Sequence, residues 1–158
     1  MDLPFLITII LNTNRREDTL AVLASLEQNT YENHRVIILD NASTDGSVQT
    51  IQSAFPKVQI VKLKKNLGYA GNNNVGIKAA LAQGAEWIFV LNEDTIVTED
   101  CLAQLVRAGQ SDPHIGIVGP MVYHHNEPNL IQSAGGKMGR YWQVWHLAQN
   151  EEDQGQFS

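Results

Sequence analysis

The chain has 158 residues, 43% of them apolar and 18% charged, and its 17 acidic and 11 basic residues give a formal net charge of −6. This composition excludes a disordered chain and predicts a single domain spanning residues 1–158. The acidic balance, with no basic cluster larger than Lys62, Lys64 and Lys65, argues against a nucleic-acid backbone as the main partner. Those lysines fall at the end of a predicted strand, where charge protects an exposed sheet edge, with phosphate binding as the alternative.

Strands and helices alternate over the first two thirds of the chain. Short runs rich in Ile, Val and Leu predict strands buried on both faces, as in a parallel sheet, at residues 6–11, 36–39, 58–63 and 87–91. Apolar residues recur at helical spacing between these runs. Ser47 is a predicted helix start, and Gly84 lies where a helix should end. The alternation predicts an α/β doubly wound fold, with a mostly parallel sheet and helices on both faces.

The last third of the chain departs from this alternation. A fourth helix is predicted from about residue 99 to residue 108, followed by a short strand at 115–118 that Gly119-Pro120 ends. Residues 121–147 have the pattern of short antiparallel strands and loops. Within them, His124-His125 have no partner at metal-ligand spacing and are interpreted as loop residues.

Polar side chains follow every predicted strand of the sheet. In open parallel sheets, ligands bind beyond the carboxyl ends of the strands. The residues that follow the four strands are Asn12-Thr13-Asn14, Asp40-Asn41, Asn66-Leu67-Gly68 and Asn92-Glu93-Asp94. This edge of the sheet is therefore the predicted ligand site.

Asp40 stands between a predicted strand and a turn, and two interpretations remain open for it. Aspartate commonly begins turns because its side chain bonds to the backbone two residues on. A carboxylate held at a sheet edge is equally suited to accept an N–H from a ligand. Uracil and thymine offer such a group at N3, whereas cytosine offers only an acceptor there.

The segment NLGYAGNNNVGI, residues 66–77, is the second candidate ligand segment. Gly68 and Gly71 allow the backbone to pass close to a ligand, and the start of the following helix supplies N–H groups. The G-x-x-G spacing is neither the dinucleotide fingerprint nor a P-loop. Asn72, Asn73 and Asn74 are of a type that caps helices, although three in succession exceed what a cap needs.

Glu93 and Asp94 form a second acidic group at the predicted edge, with no basic neighbour in the sequence. Carboxylates combined with phosphate oxygens and water are the ligands that Mg²⁺ and Mn²⁺ prefer. An isolated N-E-D tripeptide is more typical of a solvated loop, but Asp40 is expected at the same edge. A cation between them would allow an acidic chain to hold an anionic ligand.

Taken together, six segments resemble glycosyltransferase family 2 over nearly the whole chain, with the rhamnosyltransferase-like branch the most similar. They are ITIILNTNR, VIILDNASTDGS, NLGYAGNNNVGI, VLNEDT, GIVGP and SAGG. The resemblance implies the GT-A fold, a UDP- or dTDP-sugar donor, a saccharide or lipid-linked acceptor, and Mg²⁺ or Mn²⁺ as cofactor.

The resemblance also implies roles for individual residues. It makes Asp40 the pyrimidine-binding aspartate and Asp94 the principal metal ligand beside Glu93, in a D-x-D motif whose first position is Asn here. Thr13 and Asn14 would lie beside the nucleobase or ribose. The residues that would line the nucleotide pocket are Asn66, Gly68, Gly71, Asn72, Asn73 and Asn92.

The mechanism implied by the resemblance is an inverting single displacement. A divalent ion neutralises the charge on the departing diphosphate, and an acidic base deprotonates the acceptor. That base is expected beyond this chain, which would then be truncated in its acceptor half, with Glu151, Glu152 and Asp153 as weak substitutes. A nucleotide-sugar-binding fragment without turnover is the alternative. A receiver domain is disfavoured because Gly119-Pro120 stands where a lysine is expected.

Cys101 is the only cysteine, which excludes an intrachain disulfide and favours a reducing compartment. Its helical surroundings predict a packed structural thiol. The N-terminal residues lack the features of a signal peptide, and no apolar run is long enough to span a bilayer. We therefore expect a cytoplasmic location, at the inner face of the membrane, with peripheral association. Tyr141, Trp142 and Trp145 allow either stacking on acceptor sugars or packing against the sheet.

Overall fold

The computed structural model describes residues 3–157, which form four helices and eight strands. The chain divides into two compact units between Val106 and Arg107. That the two units act as one domain stays a prediction. In chain order the elements are β1 (Leu6–Asn12), α1 (Arg16–Glu27), β2 (His34–Asp40), α2 (Ser47–Ala54), β3 (Gln59–Lys62), α3 (Gly68–Ala82), β4 (Trp87–Leu91), α4 (Cys101–Gln110), β5 (Val122–His124), β6 (Glu127–Ser133), β7 (Gly136–Met138) and β8 (Val144–His146).

A four-stranded parallel sheet in the order β3-β2-β1-β4 forms the centre of the first unit. The register pairs Asn12 with Asp40 and Asp40 with Lys62, so the carboxyl ends of three strands meet along one edge. The parallel sheet predicted from the apolar runs is confirmed. Lys62 ends β3, which is an edge strand, as its charge predicted.

Helices pack on both faces of this sheet. On one face α1, α2 and α4 contribute the buried side chains of Leu23, Ile51 and Leu102. On the other face α3 packs Ala80 against strand residues such as Ile9. The predicted doubly wound arrangement is therefore confirmed. None of the helices within residues 3–157 has the length and apolar character that crossing a membrane requires.

Helix α3 approaches the sheet closely at Gly76. A Cβ at this position would lie 2.6 Å from Cγ2 of Ile9 and 3.0 Å from Cδ1 of Leu39. Both neighbours are buried in the centre of the sheet. The absence of a side chain at Gly76 therefore sets how closely α3 lies against the strands.

Asp45 joins the first turns of two helices. Its Oδ2 accepts the N–H of Arg16 and its Oδ1 accepts the N–H of Ser47, each at 3.0 Å. These N–H groups open α1 and α2, where a helix supplies no internal partner. Hydrogen bonds with the Ser47 side chain, then with the two backbone groups, hold the pKa of Asp45 below its ordinary value. The predicted start of α2 at Ser47 is confirmed.

Short antiparallel pairs make up the second unit. Strand β5 pairs with β6 and β7 pairs with β8, as expected for residues 121–147. The predicted strand at 115–118 is wrong: Ile117 is 93% exposed and has no strand to pair with in the described chain. His124 is also not a loop residue. It ends β5, and its Nε2 lies 3.0 Å from Oδ1 of Asn150.

Candidate functional site

Asn12, a fully buried side chain, organises the carboxyl end of β1. Its Nδ2 lies 2.8 Å from Oγ of Ser47, 3.0 Å from Oγ of Ser43 and 3.3 Å from Oδ1 of Asp40. Its Oδ1 accepts a hydrogen bond from the hydroxyl of Thr19 at 3.0 Å. One amide group thus joins β1, α1, β2 and the loop between β2 and α2. Because these partners are buried or half-buried, removing the amide would leave several polar groups unsatisfied.

Asp40 is 4% exposed at the end of β2. Its Oδ1 accepts both the amide of Asn12 and the N–H of Ser43, each at 3.3 Å. Every fully buried side-chain oxygen or nitrogen in residues 3–157 has a hydrogen-bond partner. Oδ2 of Asp40 takes no hydrogen bond there, so this oxygen is not fully buried and keeps contact with the solvent. The two interpretations of Asp40 are therefore compatible: Oδ1 shapes the turn, and Oδ2 can accept a hydrogen bond from a ligand.

Thr13 and Asn14 lie against the loop that follows β2. Nδ2 of Asn41 donates to Oγ1 of Thr13 at 3.4 Å, and Oδ1 of Asn14 accepts the N–H of Thr44 at 2.7 Å. The N–H of Asn14 also donates to Oγ of Ser43 at 3.1 Å. Asn14 has a φ of +54°, in the left-handed region that asparagine tolerates better than most residues. These contacts hold Thr13 and Asn14, which were predicted to lie beside the nucleobase or ribose, against the loop that follows Asp40.

The asparagines around the start of α3 bond mainly to their own loop. Oδ1 of Asn66 accepts the N–H of Gly68 at 2.9 Å and Nδ2 of Asn72 at 3.2 Å. Oδ1 of Asn72 accepts the N–H of Leu67 at 2.9 Å. Asn72 and Asn73 are buried. Two of the N–H groups expected to be free at this helix start are therefore satisfied within the chain, and contact of these asparagines with a nucleotide stays a prediction.

Gly68 and Gly71 are glycines for different reasons. Gly68 has a φ of +74°, and nothing lies within 4 Å of the place where its Cβ would be. The backbone there is therefore open, and contact of Gly68 with a ligand stays a prediction. At Gly71, a Cβ would lie 2.6 Å from Cβ of Leu67. Packing within the first turn of α3 accounts for Gly71 without a ligand.

Asn92 connects the end of β4 to α3. Its Oδ1 accepts the hydroxyl of Tyr69 at 2.9 Å. Tyr69 is 59% exposed, so its ring lies on the surface of the carboxyl edge. Asn92 aligns with the first position of the D-x-D motif, and its side-chain oxygen already accepts a hydrogen bond from Tyr69.

Asp94 has a basic neighbour that sequence proximity does not reveal. Nη2 of Arg15 lies 3.7 Å from Oδ2 of Asp94, and Nε of Arg15 lies 3.0 Å from Oδ2 of Asp18. All three side chains are about half exposed, so these ion pairs are weak. Glu93 is half-buried beside Asp94. Arg15, the residue directly before α1, therefore places a positive charge beside Asp94 at this edge.

The carboxylates at this edge do not form a complete metal cage. In the described part of the chain, no group of three or more His, Cys, Asp and Glu side chains gathers closely enough to hold a metal ion. Mg²⁺ and Mn²⁺ are often bound by only one or two carboxylates together with substrate phosphates and water. Asp94 and Glu93, exposed or half-buried at the sheet edge, fit that kind of ligand set.

Four residues of this site received no functional role from sequence alone: Asn12, Arg15, Asp45 and Tyr69. Asn12 was recognised only as one of several polar residues at a strand end. Asn12 is important because it is buried, and the burial of one polar residue cannot be read from the sequence. The D-x-x-x-x-D-G-S spacing, from Asp40 to Ser47, was the one pattern that pointed toward Asp45.

Residues 7–156 match the family described as "Glycosyl transferase family 2". An N-acetylglucosaminyl-diphospho-decaprenol L-rhamnosyltransferase from Mycobacterium tuberculosis is 31% identical over 152 residues, covering 82% of this chain and 49% of the relative. A glycosyltransferase of uncharacterised specificity from Haemophilus influenzae is 27% identical over 123 residues, covering 78% of this chain and 39% of that protein. The chain thus spans less than half the length of these curated relatives.

Solved structures share the fold of this chain. A mannosyltransferase from Pyrobaculum calidifontis, in complex with GDP-Man and Mn²⁺, superposes with a TM-score of 0.65 at 23% identity over 77% of this chain and 36% of its own. TarS from Staphylococcus aureus, in complex with UDP-GlcNAc, superposes with a TM-score of 0.57 at 19% identity over 78% of this chain and 41% of its own. The fold is therefore that of the GT-A glycosyltransferases. The chain belongs to glycosyltransferase family 2.

Proposed function

We propose that this chain forms the donor-binding half of an inverting glycosyltransferase that moves a sugar from a UDP- or dTDP-sugar to a saccharide or lipid-linked acceptor in the cytoplasm. The observation that carries the proposal is the buried carboxylate of Asp40, anchored through Oδ1 and open to a ligand through Oδ2. The name of the mycobacterial relative specifies a lipid-linked sugar, which supports an acceptor of that class.

Asp40 would select the base. Its Oδ2 accepts the N3–H of uracil or thymine, whereas the N3 lone pair of cytosine would face a second acceptor. A buried acceptor left without a donor costs about 1–3 kcal/mol. Because Oδ1 is held by Asn12 and Ser43, the carboxylate keeps its orientation whether or not the nucleotide is present.

Asp94 and Glu93 would hold the divalent ion that neutralises negative charge on the leaving diphosphate. Beside them, the guanidinium of Arg15 contributes a positive charge close to the same edge. Gly68 offers an open backbone surface along which the diphosphate could pass. The acidic chain would therefore bind its anionic donor through local charges rather than through its net charge.

Asp153, one of the acidic residues near the end of the chain, is poorly suited to be the base. Oδ2 of Asp153 accepts the hydroxyl of Tyr123 at 2.6 Å, and this bond holds the pKa of Asp153 below its ordinary value. A carboxylate with a lowered pKa is a weaker proton acceptor. We therefore do not assign deprotonation of the acceptor to Asp153.

Calorimetry with UDP and CDP tests the proposal. We expect UDP to bind about fivefold more tightly or better, since an unpaired buried acceptor costs about 1–3 kcal/mol. Asp40→Asn should reduce this preference, because an amide can present N–H as well as C=O. Asp100→Asn, at an exposed aspartate before α4, is the matched control and should leave the preference unchanged. Equal affinity for UDP and CDP in the unmodified chain would remove Asp40 from this role.

The second candidate function is nucleotide-sugar binding without turnover. The anchored carboxylate of Asp40 and the open backbone at Gly68 would be sufficient for it. Both functions predict UDP binding, so binding alone does not separate them. Release of sugar from a UDP- or dTDP-sugar, by hydrolysis or by transfer to an acceptor, would distinguish the enzyme from the binding fragment.

A further inference from the structure

A hairpin in the second unit exposes an unusual amount of apolar surface. Strands β7 and β8 pair from Gly136 opposite His146 to Met138 opposite Val144, and backbone bonds extend the pairing to Ala134 and Leu147. We call residues 134–147 the aromatic hairpin. At its tip, Tyr141 is 76% exposed and Trp142 is 81% exposed. The other exposed apolar side chains are Met138, Val144, Trp145 and Leu147.

Trp142 adopts a backbone conformation that bulky residues rarely adopt. Its φ is +64°, in the left-handed region that favours glycine, and the turn is closed by a hydrogen bond from its N–H to the carbonyl of Gly139 at 3.1 Å. Strain of this kind in a non-glycine residue persists where surrounding structure or function requires it. A tryptophan that is four-fifths exposed gains little packing energy within the unit. Its place at the tip is therefore explained better by an external contact than by stability.

The charge of the aromatic hairpin is opposite to that of the chain. It contains Lys137 and Arg140 and no Asp or Glu, whereas the whole chain has a formal net charge of −6. Both basic side chains are exposed. Lys137 lies opposite Trp145 in the register, and Arg140 precedes Tyr141 at the tip. Arg140 therefore lies with the aromatic rings of the tip, and Lys137 lies across from the ring of Trp145 within the strand pair.

We infer that the aromatic hairpin binds the surface of an anionic lipid bilayer, with the rings of Tyr141 and Trp142 at the headgroup level and Lys137 and Arg140 against the lipid phosphates. Tryptophan and tyrosine favour this region because their rings are apolar and carry one polar group. Basic residues next to them add attraction to anionic lipids. The exposed aliphatic groups of Met138 and Val144 suit the same surface.

A saccharide is a less suitable occupant of this hairpin. Sugar hydroxyl groups need polar side chains around the apolar contact to fix their orientation. The hairpin has no carboxylate, and the amide oxygen of its one glutamine, Gln143, already accepts the N–H of Tyr141 at 3.2 Å. The composition therefore favours a lipid surface over an acceptor sugar.

Vesicle sedimentation tests this inference without any nucleotide, so its result is independent of the proposed donor site. The 158-residue chain is mixed with vesicles of phosphatidylcholine alone or of phosphatidylcholine with phosphatidylglycerol. We expect binding to the mixed vesicles, weakened by added salt because the charged part of the attraction is screened. Lys137→Gln with Arg140→Gln should lower the partition coefficient roughly tenfold or more.

Two further variants separate the hairpin from general effects. Lys57→Gln with Arg107→Gln removes one exposed lysine and one exposed arginine elsewhere and should change the partition coefficient by less than about twofold. Trp142→Gly removes the ring while glycine adopts the positive φ without strain, so the turn is retained. This variant should unfold at the same or higher denaturant concentration and bind vesicles several-fold less tightly.

Three results would overturn the inference: no binding to the mixed vesicles, equal loss in the charge variant and its control, or full binding by Trp142→Gly. If the vesicles are not bound and Trp142→Gly instead abolishes self-association in analytical ultracentrifugation, the hairpin contacts a second copy of the chain. If Trp142 fluorescence responds to saccharides and not to vesicles, the occupant is a sugar.

Discussion

Asp94 gives the clearest single-residue expectation. Its partner Arg15 lies at 3.7 Å, and both side chains are about half exposed, so a divalent ion and a diphosphate could reach the carboxylate. We expect UDP affinity to depend on Mn²⁺ or Mg²⁺, and Asp94→Ala to abolish most of that dependence. The loss should be on the order of 1–3 kcal/mol, as for removing a charged partner from a satisfied site. Calorimetry of UDP binding with manganese and with a chelator measures it.

Glu27→Ala provides the control for Asp94→Ala. Glu27 is an exposed acid at the far end of α1, away from the carboxyl edge of the sheet. Its loss changes the net charge by the same amount and should leave the metal dependence intact. Identical UDP affinity with manganese and with chelator in the unmodified chain would contradict the assignment of Asp94 and Glu93 to a metal.

His34 should make stability depend on pH. It lies at the start of β2, its Nε2 is 2.9 Å from Oγ1 of Thr8, and burial lowers its pKa from 6.5 to about 4. The folded chain therefore holds fewer protons than the unfolded chain between these values. We expect the free energy of unfolding to fall as pH drops from 6.5 toward 4, by at most about 3 kcal/mol from this group. Urea denaturation across that range measures the decrease.

His34→Gln is the matched variant for this effect. Glutamine does not titrate but can still bond to the hydroxyl of Thr8. We expect the variant to show a smaller loss of stability than the unmodified chain between pH 6.5 and 4. The same slope in both proteins would assign the pH dependence to other groups.

Individual site residues were predictable where they follow a strand. Asp40 and Asp94 were placed correctly at one edge because the parallel sheet sends all its carboxyl ends the same way. The role of Arg15 was not predicted, because its pairing with Asp94 joins the segments that follow two different strands and depends on side-chain direction. Asn12 was not assigned a role because its hydrogen bonds depend on burial.

Helix α3 illustrates the energetics of a whole element. Gly76→Ala would place a Cβ 2.6 Å from Ile9 and 3.0 Å from Leu39, both buried and unable to retreat easily. Overpacking a core costs about 1–3 kcal/mol. Replacing glycine by alanine within a helix stabilises the helix by about 1 kcal/mol. The 2.6 Å approach to Ile9 favours the clash, so we expect net destabilisation of up to about 2 kcal/mol in chemical denaturation.

Asn74→Ala is the comparison for Gly76→Ala within the same helix. Asn74 is exposed, so alanine there gains helix propensity without a clash. We expect it to be neutral or slightly stabilising. A Gly76→Ala protein as stable as Asn74→Ala would show that α3 can move away from the sheet at little cost.

Strands and helices were predicted correctly where an apolar pattern in the sequence coincided with a neighbouring element in the fold. Strand β4, predicted at 87–91, is Trp87–Leu91, because it pairs with the buried strand β1. Residues 115–118 have similar composition but form no strand, since a strand needs a neighbour and none lies beside them in the described chain. Helix α4 begins at Cys101, about two residues later than predicted, which is the usual uncertainty of a helix end.

At the scale of the molecule, the first unit carries all the predicted nucleotide and metal residues. Both hydrophobic clusters are formed by residues from Phe5 to Val106. We expect a chain ending after Ser111, which keeps α4 whole, to fold cooperatively and to bind UDP within about twofold of the longer chain. Thermal unfolding followed by circular dichroism, and calorimetry with UDP, would measure both properties.

The same shortened chain lacks the aromatic hairpin and should not bind anionic vesicles. Retained vesicle binding together with lost UDP binding would contradict the division of roles between the units. The sequence predicted the α/β fold of the first unit well, because regular alternation carries that information. It predicted the second unit only as short antiparallel strands, because short exposed strands have little hydrophobic pattern.

The amide of Asn12 has a consequence for how this chain tolerates change. It bonds to Asp40, Ser43, Ser47 and Thr19, so most replacements at Asn12 would impair folding and base recognition together. Within residues 3–157, the side chain of Arg15 pairs with those of Asp94 and Asp18 at the surface rather than with core residues. Random variants selected for folding alone should therefore keep Asn12 nearly invariant while Arg15 and Asp94 vary freely. Changes in ligand specificity would then begin at Arg15 and Asp94, which are expected to lie near the phosphates. The preference for the nucleobase would change last.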